Sequence, residues 1–165
     1  MERWLRATVA VGALLPSLVF AQSAAPSAEL KISVVVTAEG DALFNAWDRG
    51  KPGFKVVPVR DAARGQFLSA VILFSGCQAD AVGNCNAEMS ITAYDPTGKE
   101  YGAMPEAELW KAKPAPQVGA TQLSRDYMGI VIEPTDPSGT YRVSVVARDL
   151  NSKQEAKSET TFSVK

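Results

Sequence analysis

An all-β fold, an antiparallel β-sandwich of about seven strands with one short helix near 41–49, is predicted by three features of this 165-residue sequence. Several stretches place apolar side chains at every second position, the period of a strand with one face on a core and one in water. One run, FLSAVILF at 67–74, is apolar at nearly every position, as a central strand buried on both sides would be. Two turns, DPTG at 95–98 and DPSG at 136–139, share the Asp, Pro and Gly spacing of a type I turn.

Taken in order, residues 1–21 have the parts of a secretory signal peptide: Arg3 and Arg6, an uncharged run from Ala7 to Phe20, and Val19-Phe20-Ala21 before the expected cleavage. The run is short for a bilayer span and contains Pro16, which argues against a membrane anchor. No cysteine follows the cleavage position, so a lipid anchor is not expected. Residues 22–29 are mostly small and polar, a disordered lead-in, and 30–165 make one domain.

Within that domain, Leu30, Ile32, Val34 and Val36 alternate with Lys31, Ser33 and Thr37 as a first strand. Residues 38–53 suggest the helix: Asp41 as N-cap, Leu43, Phe44 and Trp47 as the apolar face, and Gly50 with Pro52 as its end. FKVVPV at 54–59 and YMGIVIE at 127–133 read as strands. So do the alternating sets Ala87, Met89, Ile91, Ala93 and Tyr141, Val143, Val145, Ala147, and the pair Phe162, Val164. Residues 102–120 carry three prolines and Trp110 and read as a long loop, with at most one helical turn over Glu106–Lys111.

Cys77 and Cys85 are the only cysteines, and an exported chain places them where an isolated pair oxidises. Strand-like segments flank them and Gly83-Asn84 favours a turn, so the pair is expected to close a hairpin loop. So short a ring stabilises by about 2.5 kcal/mol in the chain-entropy account. The spacing is not the C-x-x-C of a redox pair, and no histidine exists to complete a zinc site.

The segment DPSGTYRVSVVARD at 136–149, with the ETTFSV that follows a polar turn, resembles the last two strands of immunoglobulin-like domains, including fibronectin type III and bacterial macroglobulin-type modules. Asp136, Gly139 and Tyr141 match the acidic residue, glycine and tyrosine of that pattern. The resemblance implies an immunoglobulin-like sandwich in which Tyr141 bonds upstream backbone at the corner. It implies a fold and no activity.

Charge narrows the function. Removing 1–21 leaves 15 basic and 17 acidic residues with signs interspersed, no basis for binding nucleic acid or anionic lipid. Without histidine, with both cysteines paired and no G-x-S-x-G, nucleophilic catalysis has no machinery, and the carboxylates read as turn and surface groups. No cofactor or metal site is expected, and no transmembrane segment in the mature chain.

The expected function is therefore that of an exported, non-enzymatic envelope protein, periplasmic in preference to secreted. It would bind a protein or ligand partner through Trp47, Trp110, Phe44 and Tyr101. Two alternatives stand beside it. One is a periplasmic metal or ligand carrier using Met89, Met104 and Met128 or the Asp80 loop; the other is an inhibitor of an envelope hydrolase that inserts the stapled loop.

Overall fold

The computed structural model describes residues 29–48 and 55–165. The expected signal peptide, nearly all of the lead-in, and the Gly50 and Pro52 helix stop lie outside them. Within them the fold is an antiparallel sandwich with one helix. The strands are β1 (Lys31–Thr37), β2 (Asp61–Ala62), β3 (Phe67–Ser75), β4 (Asn84–Tyr94), β5 (Glu100–Pro114), β6 (Gln122–Leu123), β7 (Met128–Val131), β8 (Gly139–Asp149) and β9 (Glu155–Val164). The helix, α1 (Gly40–Asp48), lies between β1 and β2.

Sheet A is ordered β1-β3-β6, with β7 pairing the other end of β3; sheet B is ordered β2-β9-β8-β4-β5. Every pairing is antiparallel except β2 with β9. Strands that follow one another in the chain change sheets between β1 and β2, β2 and β3, β3 and β4, β5 and β6, and β7 and β8, the connectivity of an immunoglobulin-like sandwich. One feature implied at the penultimate strand is present. Tyr141, 1% exposed, donates its hydroxyl to the Pro137 carbonyl at 2.9 Å, the tyrosine corner.

The core between the sheets follows from the alternation. Val34, Val36, Leu68, Ile72 and Phe74 of sheet A meet Met89, Ile91, Val143, Val145 and Phe162 of sheet B. The opposite side chains of β1 and β3 belong to a second cluster. Leu43 of α1 packs with Val71 and Leu123, flanked by Val35, Phe44, Trp47 and Leu73, on the outer face of sheet A. That second layer is why β3 is apolar at all but Ser69 and Ser75: the sandwich core covers one side and the helix the other. The helix lies so close that a Cβ on Gly40 would come within 2.2 Å of Ser69 Oγ.

Five expectations are corrected. Residues 55–59 form no strand; Val59 donates one bond to the Val36 carbonyl, and the strand that follows is the two-residue β2. Asp41 is in the first turn of α1 and not its cap: the first helical bond runs from Leu43 N–H to the Glu39 carbonyl. Residues 100–114 are the strand β5 and not a loop. It is the edge strand of sheet B, where a proline's missing N–H faces away from the ladder, and four register shifts against β4 absorb its irregularity.

The link between the cysteines is not a hairpin. β3 and β4 belong to different sheets, so the disulfide closes a crossover from sheet A to sheet B. Its Cα atoms lie 5.9 Å apart. Finally, DPTG at 95–98 makes its turn, Gly98 N–H to the Asp95 carbonyl at 3.0 Å, but the second turn runs over 133–136, from Asp136 N–H to the Glu133 carbonyl.

Candidate functional site

Three of the four residues singled out by sequence come together. Phe44 and Trp47, one turn apart on α1, and Trp110 on β5 line one cleft of about 180 Å³ with Leu123, Ser124, Lys113 and Arg125. All three aromatic residues are half-buried. The cleft lies where the helix layer meets the edge of sheet B, because Trp110 packs on the sandwich core while Phe44 and Trp47 pack on the outer cluster.

The chain joins the two sheets at this edge. Between β6 and β7 it leaves β3 and turns to β5: Arg125 N–H bonds the Leu109 carbonyl at 3.2 Å and Asp126 N–H the Glu108 carbonyl at 3.1 Å. The Asp126 carboxylate accepts the Glu108 N–H at 2.6 Å, and the buried Ser124 hydroxyl donates to the Asp126 carbonyl. These bonds hold Arg125 at the mouth of the cleft.

A bulge sets the other side. Asn86 of β4 pairs with Lys111 and Cys85 with Lys113, so Ala112 is skipped. Ala112 has φ of 50°, a left-handed conformation that disfavours side chains, and its N–H bonds Asn86 Oδ1 at 2.9 Å. The kink directs Lys113 back over Trp110: its Nζ is 4.9 Å from the indole centroid and 3.1 Å from Glu108 Oε1. Trp110 is further fixed by its own Nε1–H, which donates to the Pro114 carbonyl at 3.0 Å, and by Phe74 at 5.6 Å between centroids. On α1, Phe44 packs on Tyr127 at 4.9 Å.

Tyr101 is elsewhere, nine residues back along β5, roughly 25–30 Å at the rise of a strand. Its ring meets Tyr141 edge-on at 5.4 Å, and its hydroxyl lies 2.6 Å from the Val131 carbonyl and 2.5 Å from Asp136 Oδ2. Burial, and then the Asp136 carboxylate, push the Tyr101 phenol far above the ordinary tyrosine range. Tyr141 is shifted the same way for the same two reasons. Tyr101 is thus a polar tie at the corner, not part of the aromatic cleft. Arg64 completes that corner, donating to the carbonyls of Glu133 and Asp136 and to Ser138 Oγ.

The stapled loop is held from its base. Asp149, fully buried, accepts from Gln78 N–H, Asn151 N–H and the Ser152 hydroxyl. Asn151 Nδ2 donates to the carbonyls of Gln78 and Asn84. At the tip, Asp80 Oδ1 accepts the N–H groups of Val82 and Asn84, and Gly83 N–H closes a turn on the Asp80 carbonyl. The loop therefore presents a closed turn with Val82 outermost, and its carboxylate is engaged by backbone. Met89 and Met128 are buried in the core, as the strand pattern implied.

Sequence reasoning missed Arg64, Arg125, Lys113, Asp149 and Asn151. Asp149-Leu150-Asn151-Ser152 carried a usable signal, since Asp and Asn at a strand end bond their own backbone. Nothing local marks Arg125, because its role comes from chain segments distant in sequence.

No protein-family model and no curated protein matches the chain. Among solved structures it is similar to the CARDB domain of the PF1109 protein from Pyrococcus furiosus, solved in complex with di-metal ions: 10% identity over 85% of this chain and 90% of that one, TM-score 0.40. It is also similar to a Niemann-Pick type C2 protein from Japanese carpenter ant, 11% identical over 84% of this chain and 95% of that chain, with TM-score 0.44. A third is Spo0M, a sporulation control protein from Bacillus subtilis, 8% identical over 83% of this chain and 49% of that one, with TM-score 0.45.

Proposed function

We propose that the protein is an exported, non-enzymatic binding module of the cell envelope, working in the periplasm, and that its recognition surface is the cleft of Phe44, Trp47 and Trp110. One observation carries the reading. Two segments separated by 62 intervening residues deliver three half-buried aromatic rings and Lys113 to one open cleft, and Arg125, from between β6 and β7, adds a second cation. Aromatic side chains in a partly desolvated pocket with an arginine at the rim are the composition of binding hot spots. The bulge at Ala112 supports it, since a left-handed non-glycine residue is costly and such strain gathers at functional positions.

Export is supported by the tripartite N-terminal sequence and by the disulfide, which suits an oxidising compartment. Among the described residues no helix is long and apolar enough to cross a membrane. The non-enzymatic reading rests on the absence of histidine from the sequence and the pairing of both cysteines.

A native mass spectrum of the protein recovered from its own cell envelope tests both halves. The expected mass begins at Gln22, is two hydrogens below the reduced chain, and includes a bound partner that Trp47→Ala loses while still folding. An N-terminus retained at Met1 would remove export. A partner held equally by wild type and Trp47→Ala would remove the cleft.

A further inference from the structure

We infer that the cleft receives one apolar or aromatic side chain from an acidic peptide segment of a partner protein, with that segment's carboxylates against Arg125 and Lys113. This rests on the binding reading above and adds the chemistry of the occupant. Size comes first. At about 180 Å³ the cleft is smaller than the roughly 300–1,000 Å³ of pockets that engulf a drug-sized ligand, so it has room for one side chain or one ring of a longer chain.

Charge comes second. Both ionisable residues that line the cleft, Lys113 and Arg125, are cations, and no carboxylate lines it. Glu108 pairs with Lys113 at 3.1 Å, leaving Arg125 with no ion pair among the described residues. In a chain of formal net charge −1, a locally cationic mouth favours an anionic partner and disfavours a basic one by like-charge contact.

The state of Trp110 separates a peptide from an acidic polysaccharide. Stacking a sugar calls for a free indole face. Here Lys113 Nζ lies over the ring, Phe74 packs against it, and the Nε1–H is already bonded to the Pro114 carbonyl. What is left open is the cleft of about 180 Å³ beside the ring, which a single side chain fills. A guanidinium at the mouth can then take a neighbouring carboxylate in bidentate fashion.

The test is an NMR titration of the oxidised domain, following the indole N–H groups of Trp47 and Trp110 and the amides of Ser124 and Arg125. Three probes are used: a blocked five-residue peptide with phenylalanine between two pairs of aspartates, the same peptide with lysines in place of aspartates, and polygalacturonate. The expected result is saturable shifts of the cleft signals with the aspartate peptide, and binding weaker by about tenfold or more both for the lysine peptide and for Arg125→Glu. Arg125 is exposed, so the variant should melt close to wild type.

Equal binding of both peptides would overturn the acidic partner and leave the cleft as a binding site. Shifts with polygalacturonate alone would overturn the peptide. If no probe moves the cleft signals, the inference fails, whereas the binding reading itself falls only if Trp47→Ala keeps its partner.

Discussion

The two outer faces of this sandwich have opposite fates. On sheet A, Val35, Val71, Leu73 and Leu123 are covered by Leu43, Phe44 and Trp47 of α1, which makes a second apolar layer. On sheet B the outer face stays in water and is laced with charge: Arg148 reaches Glu88 and Glu155, Lys157 reaches Glu155, and Arg142 pairs with Glu159 and lies over Tyr94. The same architecture thus contains a strand largely apolar on both sides and strands with one polar side. The difference teaches where recognition can arise: the cleft opens at the boundary, where the added helix layer stops and the edge of the bare sheet begins.

The comparison can be broken most severely at the covered face. Leu43 is 1% exposed, and Leu43→Ala should cost about 2–5 kcal/mol of unfolding free energy in urea titrations while loosening the Trp47 side of the cleft. A loss below about 1 kcal/mol would mean that the helix is a dispensable cover.

A polar group held between the sheets gives the middle of the scale. Tyr101→Phe removes the single O–H that lies between the Val131 carbonyl and the Asp136 carboxylate, a loss of about 1–2 kcal/mol at neutral pH. The sign with pH is set by the raised phenol. Above about pH 10 the unfolded chain releases this proton and the folded one keeps it, so the unfolded state binds fewer protons and stability falls as pH rises. Urea midpoints between neutral pH and pH 11 should fall less steeply in Tyr101→Phe than in wild type; Tyr141, raised in the same direction, contributes to the slope that remains. Parallel curves would show that Tyr101 ionises as freely folded as unfolded.

The smallest effect belongs to the bare face. Arg148 is half-exposed and reaches two carboxylates, and Arg148→Ala should cost no more than about 1 kcal/mol and lose most of that at high salt. Lys157 first, then Arg148, hold the exposed Glu155 carboxyl below its ordinary range, and the variant should raise it in an NMR titration. A large loss for Arg148→Ala would erase the contrast between the faces.

Much of this was legible one segment at a time. Alternation marked β1, β4 and β8, the nearly unbroken apolar run marked β3, and Leu43, Phe44 and Trp47 marked the buried face of α1. The disulfide needed only that there be two cysteines in reach. These are local properties: a side chain's period and its solubility are the same wherever the chain later folds.

What the local pattern lacked was the neighbour. Pro105 and Pro114 argue against a strand until β5 is known to be an edge, where the ladder asks no N–H of them. DPTG and DPSG promise the same turn, yet only the first forms. Asp95 is free to accept from Thr97 and Lys99, whereas the Asp136 carboxylate is taken by Tyr101 and Glu133 N–H and its carbonyl by Arg64. Eight residues from Cys77 to Cys85 suit a hairpin or a step between sheets equally; pairing of β3 with β1 and of β4 with β8 selected the step. In the same way, the aromatic residues were visible as candidates, but their grouping was not. Period and composition determine which side chains seek burial, while the partner surface that buries them exists only once distant segments have packed, and that packing put Trp110 beside Trp47 and left Tyr101 at the far end of its strand.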